Sequence, residues 1–258
     1  MPRFFKLQLF WLAISVITPA GCMVLRLADA VDPLLLSNIA LPSLLTCWVL
    51  ALLSPVLFAR GADRESRMTG FVVAWSAIAV FFPLCWDLPW AVLHEWISGA
   101  TAGDAAEWYF WAYAVADTRF LRGDHLMVIV EYWSGVIGVV EIVFVVLLRR
   151  NQLSKATRVF VSASSLQFYG CTVFFLSEAV SGFPSIRPDL VSYVKFFGLN
   201  GMWVVVPALA GLVLLQLTRN PAYDGRTAIG RLFSGAHAVS PAAHHRTRTD
   251  GGVASSGF

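Results

Sequence analysis

Three acidic side chains, Asp87, Glu131 and Glu178, stand inside long apolar stretches of this chain. A charged residue at such a place costs roughly 2.5–3.5 kcal/mol on insertion scales, so it marks a functional cavity by default. Glu131 is the sharpest case, with Met127-Val-Ile-Val130 before it and Gly135-Val-Ile-Gly-Val-Val140 after it. A protonated carboxyl in a dry pocket can donate a proton to an olefin or an epoxide, and a neighbouring carboxylate can take one back. Trp203 and other aromatic rings could stabilise the carbocation between those steps. The same groups also suit binding of a lipophilic amine, whose ammonium would pair with a carboxylate. Neither chemistry needs a cofactor. The chain has no phosphate loop, nicotinamide fingerprint or Ser-His-Asp order, and His94-Glu95 lacks the second His of a zincin helix, so no metal site is expected.

The elements that must position these groups are membrane spans. Of 258 residues, 57% are hydrophobic and only 14% charged, against about 25% charged in a soluble domain. A span needs ~20 apolar residues, and six stretches qualify: 7–27, 34–59, 69–97, 126–148, 156–180 and 194–217. The expected fold is an all-α polytopic bundle: an N-terminal span or signal anchor (1–33), a main bundle (34–218) and a mostly disordered tail (219–258). Residues 226–236 could form one short surface helix. Bilayer lipids and a lipophilic small molecule are the expected partners, and nucleic acid is not.

Fourteen of the nineteen Lys and Arg residues fall on the side shared by both termini and the 60–68 and 149–155 loops. The positive-inside rule then puts both termini in the cytoplasm. Arg3 and Lys6 ahead of an apolar run also fit a signal sequence, with Pro19-Ala20-Gly21-Cys22 as a weak cleavage site. The opposite-side loop, 98–125, holds Trp108, Tyr109, Phe110, Trp111 and Tyr113, too greasy a run for a free linker. It is expected to lie on the membrane surface or to cap a pocket.

Counting ~1.5 Å per helical residue brings Asp87, Glu131, Glu178, Asn200 and Trp203 into one slab of the membrane. Glu178 also fits a simple interfacial marker, and Asn200 fits helix–helix glue. Glu141 faces another direction and has no assigned role. Cys22, Cys47, Cys85 and Cys171 lack paired spacing and read as apolar packing. Gly135 and Gly138 can seat a helix of the same chain or of a second copy, so a homodimer stays open.

These residues also match a family. Asp117-Thr-Arg-Phe-Leu-Arg-Gly-Asp124 leading to Glu131 resembles the segment ahead of a central span in the emopamil-binding proteins, the sterol Δ8–Δ7 isomerases. Gln167-Phe-Tyr-Gly170, Phe174-Phe-Leu-Ser-Glu178 and Gly182-Phe183 resemble the next span, and Asn200-Gly-Met-Trp203-Val-Val-Val-Pro207 the last. Order and spacing agree over roughly 70–215, the EXPERA domain shared with the sigma-2 receptor. The resemblance implies a five-span fold in the endoplasmic reticulum membrane, with one extra N-terminal span here. It implies that Glu131 and Asp87 are catalytic, and that Ser134, Asn200, Trp203, Gln167, Tyr169 and Glu178 bind substrate. The implied reaction shifts a ring double bond in a sterol or terpenoid by protonation and deprotonation. Cyclisation of a terpenoid olefin or epoxide, and non-catalytic sterol binding or trafficking, are the alternatives. Where the isomerases carry His followed four residues later by Glu, this chain has Pro83 and Asp87. An Asp there is closer to the sigma-2 receptor branch.

Overall fold

The computed structural model describes residues 1–234. The tail from 235 onward, with His237, His244 and His245, lies outside the described residues. Among the described residues there is no strand, only an isolated bridge between Asp117 and Ile186. Among the described residues six helices are long and apolar enough to cross a membrane: α1 (Arg3–Leu27), α2 (Pro33–Leu57), α3 (Arg64–Ile97), α5 (His125–Arg149), α6 (Leu153–Ala179) and α7 (Leu190–Thr218). Two short helices complete the described residues, α4 (Trp108–Ala114) and α8 (Gly225–Ser234). The protein is an all-α polytopic membrane bundle, as its composition requires.

Local signals start these helices. Asp32, Asp63, Asp124 and Asp189 cap α2, α3, α5 and α7, each accepting a hydrogen bond from a first-turn backbone N–H. An aspartate there satisfies one of the orphan donors of the helix end. Pro33 opens α2, where a missing N–H costs nothing. Asp63 also accepts from the Ser66 hydroxyl; these bonds outweigh burial and hold its carboxyl below the ordinary aspartate range.

The glycines of α5 explain how tightly the centre packs. A Cβ on Gly135 would stand 2.7 Å from Leu88 Cβ, and one on Gly138 would stand 3.1 Å from Pro83 Cβ. The small-residue face therefore seats α3 of the same chain, and it is not a free surface for a second copy. Gly135→Ala is expected to force the two helices apart beside Asp87, at a cost of roughly 1–3 kcal/mol. Thermal unfolding in detergent would show it as a lower midpoint.

Two one-turn π segments interrupt the spans, Pro83–Asp87 in α3 and Val194–Leu199 in α7. Such bulges insert a residue and re-aim the side chains that follow, and they recur at functional sites. One ends at Asp87 and the other immediately precedes Asn200.

The ends of the chain's described part meet on one side of the bundle. Phe5 and Phe233 are in edge contact at 5.0 Å, and Arg231 pairs with Glu65. On the other side, Lys195 is buried and donates to Ser37 Oγ (2.6 Å) and Asn38 Oδ1 (2.8 Å), and Ser37 donates to the Ala112 carbonyl. That chain of bonds fastens α7, α2 and α4 together. The greasy loop thus caps the bundle: Trp108, Trp111 and Tyr113 are all buried.

The cysteines divide. Cys22 and Cys47 are buried, but Cys85 is exposed, which corrects the expectation of uniform apolar packing. Glu141 is fully buried, and neither carboxyl oxygen has a partner among the described residues.

Candidate functional site

Asp87, Glu131, Ser134, Gln167, Asn200 and Trp203 line one cavity between α3, α5, α6 and α7. Its volume is about 60 Å³. Asp87, Glu131, Asn200 and Trp203, from three of the spans counted by depth, thus meet in one layer, while α6 contributes Gln167 in place of Glu178. A larger groove of about 850 Å³ runs along α3, α5 and α8, but its lining holds Arg149 and Arg226 and no acid. Chemistry, not size, selects the smaller one.

Asp87 and Glu131 meet carboxyl to carboxyl, within reach of a mutual hydrogen bond. A proton held between two such groups turns repulsion into attraction. Ser134, one turn beyond Glu131, donates its hydroxyl hydrogen to Asp87 Oδ2. It fixes the rotamer of the one acid from the helix of the other. Asp87 is 4% and Glu131 8% exposed, so both sit away from solvent.

The wall around the acids is aromatic. Trp203 packs against Trp75 (5.1 Å), Trp48 (6.1 Å) and Phe82 (6.0 Å). Trp86 stacks on Phe82 at 5.7 Å and meets Tyr113 edge-on at 5.3 Å. Ring faces turned to a small dry space attract a cation, by about 2 kcal/mol when it is desolvated.

Asn200 donates from Nδ2 to the Tyr113 hydroxyl (2.6 Å) and to the Phe196 carbonyl (2.6 Å). Tyr113 accepts that bond, so its own hydrogen stays available to the cavity. Burial, first, and the nearby Asp117 carboxylate push the Tyr113 phenol well above its ordinary range, so it stays protonated. Tyr113 was visible in the sequence only as one member of an aromatic run. Its contact with Asn200, 87 residues away, has no local signature. Tyr113→Phe is expected to cost about 1 kcal/mol by leaving the buried amide one acceptor short, read as a lower unfolding midpoint.

Gln167 lines the cavity, and its Oε1 is buried without a partner among the described residues. That oxygen can accept a hydrogen bond from a donor placed in the cavity. Cys171 and Phe174 line the same wall.

Two of the expected substrate-binding residues lie elsewhere. Tyr169 is 68% exposed and is not part of the lining. It follows Gln167 by two residues, about 200° around a helix of 3.6 residues per turn, so it points outward when Gln167 points inward. Glu178 is buried but already committed. Arg119 Nε approaches its Oε1 at 3.3 Å, and the Ser185 backbone N–H donates to its Oε2.

Arg119 holds this region together. It bonds both oxygens of Asp117, at 2.9 and 2.6 Å, donates to Ser177 Oγ at 2.7 Å, and stacks over Phe174 at 4.5 Å. Burial raises the Asp117 carboxyl above its ordinary range, while the Arg119 bonds oppose that shift. Asp117, Arg119 and Glu178 thus form a structural knot beside the cavity and lie outside its lining.

Comparison with protein-family models, with curated proteins and with solved structures finds no match to this chain. The likeness to the emopamil-binding proteins rests on the motifs themselves.

Proposed function

We propose that this membrane helical bundle is a cofactor-independent isomerase of the emopamil-binding type, acting on a double bond in a sterol or terpenoid. One observation carries the reading: Asp87 and Glu131 face each other in a buried, aromatic-walled cavity. One carboxyl delivers its proton to an olefinic carbon, whose π pair becomes the new C–H bond. The positive charge left on the neighbouring carbon sits against Trp203 and the rings around it. The other carboxylate removes a proton from the adjacent carbon, and that C–H pair becomes the shifted double bond. Atoms and electrons balance without an oxidant or reductant. Asn200, Tyr113 and Gln167 orient the substrate, and Ser134 positions Asp87. The family's missing His is no obstacle to this scheme, because the two carboxyls already supply both proton transfers. Pro83 instead packs on Gly138. An epoxide or isolated olefin of a terpenoid, protonated by the same pair, would give its own cation against the same rings; a second π pair would close the ring, and the carboxylate would remove the final proton.

A second reading is a non-catalytic sterol- or amine-binding protein like the sigma-2 receptor. The observation in its favour is Pro83, which spends the His position on helix packing. On either reading the basic side faces the cytoplasm, with both termini there, and a eukaryotic chain would reside in the endoplasmic reticulum.

The test is expression in yeast lacking its own Δ8–Δ7 isomerase, with sterols followed by mass spectrometry. Accumulation of Δ7 sterol supports the enzyme. Folded protein that binds the Δ8 sterol and returns it unchanged would favour the receptor-like reading.

A further inference from the structure

A cavity of about 60 Å³ is far below the roughly 300–1,000 Å³ of pockets that hold small molecules. A ring can react there only if the rest of the substrate lies somewhere else. A second chamber of about 230 Å³ adjoins it, enclosed by α1, α2, α3 and α4. Phe82 and Trp86 line both spaces, so their stacked rings, 5.7 Å apart and 9° from parallel, form the partition. Together the two volumes approach the lower bound for a ligand pocket.

The chamber's lining contains no charged residue. Pro19, Ala20 and Met23 supply the α1 side, and Leu41 and Leu44 the α2 side. The hydroxyl of Ser15 is taken by the Leu12 carbonyl at 2.7 Å. Such a space suits hydrocarbon, with the Tyr109 phenol as the one further hydroxyl among its lining residues.

The chamber also has a mouth. At one end, α1 is tied to α3 by Gln8 Nε2, which donates to the Gly70 carbonyl at 3.1 Å. At the other end, Arg26 Nη2 clamps the carbonyls of Ala102 and Gly103, at 2.9 and 2.8 Å, in the loop beyond α3. Between these ties the lining residues Val16 of α1 and Phe81 of α3 are 43% and 42% exposed. The two helices therefore frame a lateral window, closed above and below and open to the bilayer.

We infer that the substrate enters from the bilayer through the α1–α3 window, and that its hydrocarbon tail occupies this chamber while its reacting ring passes Phe82 and Trp86 to the acids. The inference rests on the proposed function and adds substrate shape and route to it: a ring or olefin at one end and an apolar chain at the other. It also gives the N-terminal span a task that the five-span resemblance leaves unassigned.

The test uses two photoreactive Δ8 sterols in nanodiscs, one with a diazirine on ring B and one with a diazirine in the side chain. Labelled peptides are mapped with and without excess unlabelled sterol. The expected result is competable labelling of the Phe82–Asp87 or Trp203 region by the ring probe and of Val16–Met23 by the side-chain probe. Ala20→Trp should reduce the side-chain labelling at least tenfold, and a sterol nucleus without its side chain should still compete with the ring probe in that variant. Ring labelling in the cavity with side-chain labelling away from α1 would overturn the inference and leave the proposed function standing. Absence of ring labelling in the cavity would overturn both.

Discussion

Glu131→Gln is expected to reduce double-bond migration by at least a hundredfold, within the 10²–10⁴ that a positioned acid or base contributes. The substitution keeps size and hydrogen bonding but removes the exchangeable carboxyl proton. Asp87→Asn should match it, since the proposed reaction needs one proton in and one proton out. The double variant should then be little worse than either single one, because groups that act as a unit are strongly non-additive. Ser134→Ala should fall less far, for it touches Asp87 and not the reacting atoms. Binding of the Δ8 sterol should survive in all of these variants, which separates loss of chemistry from loss of fold. Full turnover by purified Glu131→Gln would remove Glu131 from the mechanism.

Arg119→Ala should be the most damaging single change to the fold. Asp117, at 0% exposure, and Glu178, at 3%, would both remain buried after losing their cation. Breaking a buried pair in this way costs about 3–5 kcal/mol, enough to exhaust much of a typical domain's stability. The loss should appear as a large fall in the unfolding midpoint or as failure to accumulate in membranes. Arg119→Lys should recover only part of it. A lysine keeps the charge but cannot reproduce the fork that grips Asp117 while reaching Glu178 and Ser177. Because the knot lies beside the cavity, any Arg119→Lys protein that folds should keep most of its turnover. An Arg119→Ala protein of unchanged stability would show that the acids are neutralised by some other route.

The spans were legible from their apolar runs, and four of the six open on an aspartate cap. The run expected over 34–59 forms Pro33–Leu57, and the one over 126–148 forms His125–Arg149, each opened by an aspartate cap. The short surface helix expected over 226–236 forms Gly225–Ser234. Convergence of Asp87, Glu131, Asn200 and Trp203 was legible from depth alone, since rise per residue is fixed. Facing was harder. Tyr169 sat in a matching motif, yet its helical phase turns it away from Gln167. Glu178 sat at the right depth, but its partner Arg119 lies 59 residues earlier and no periodicity links the two. The π segments at Pro83–Asp87 and Val194–Leu199 shift phase by a residue just where the site begins, which a 3.6-residue count does not register. Tyr113 and the Phe82–Trp86 partition depend on tertiary contacts between separate elements, and a sequence pattern carries only the raw material for those.

The most direct test of the central claim is an isotope count. Membranes containing this chain, from yeast without its own isomerase, are supplied with a Δ8 sterol in heavy water. The product is then weighed by mass spectrometry. The expected product is a Δ7 sterol carrying one deuterium from solvent, delivered through the exchangeable carboxyl pair, and formed at least a hundredfold more slowly when Glu131→Gln is used. Δ7 product without solvent deuterium, or labelled product formed as fast with Glu131→Gln, would contradict proton transfer by this pair.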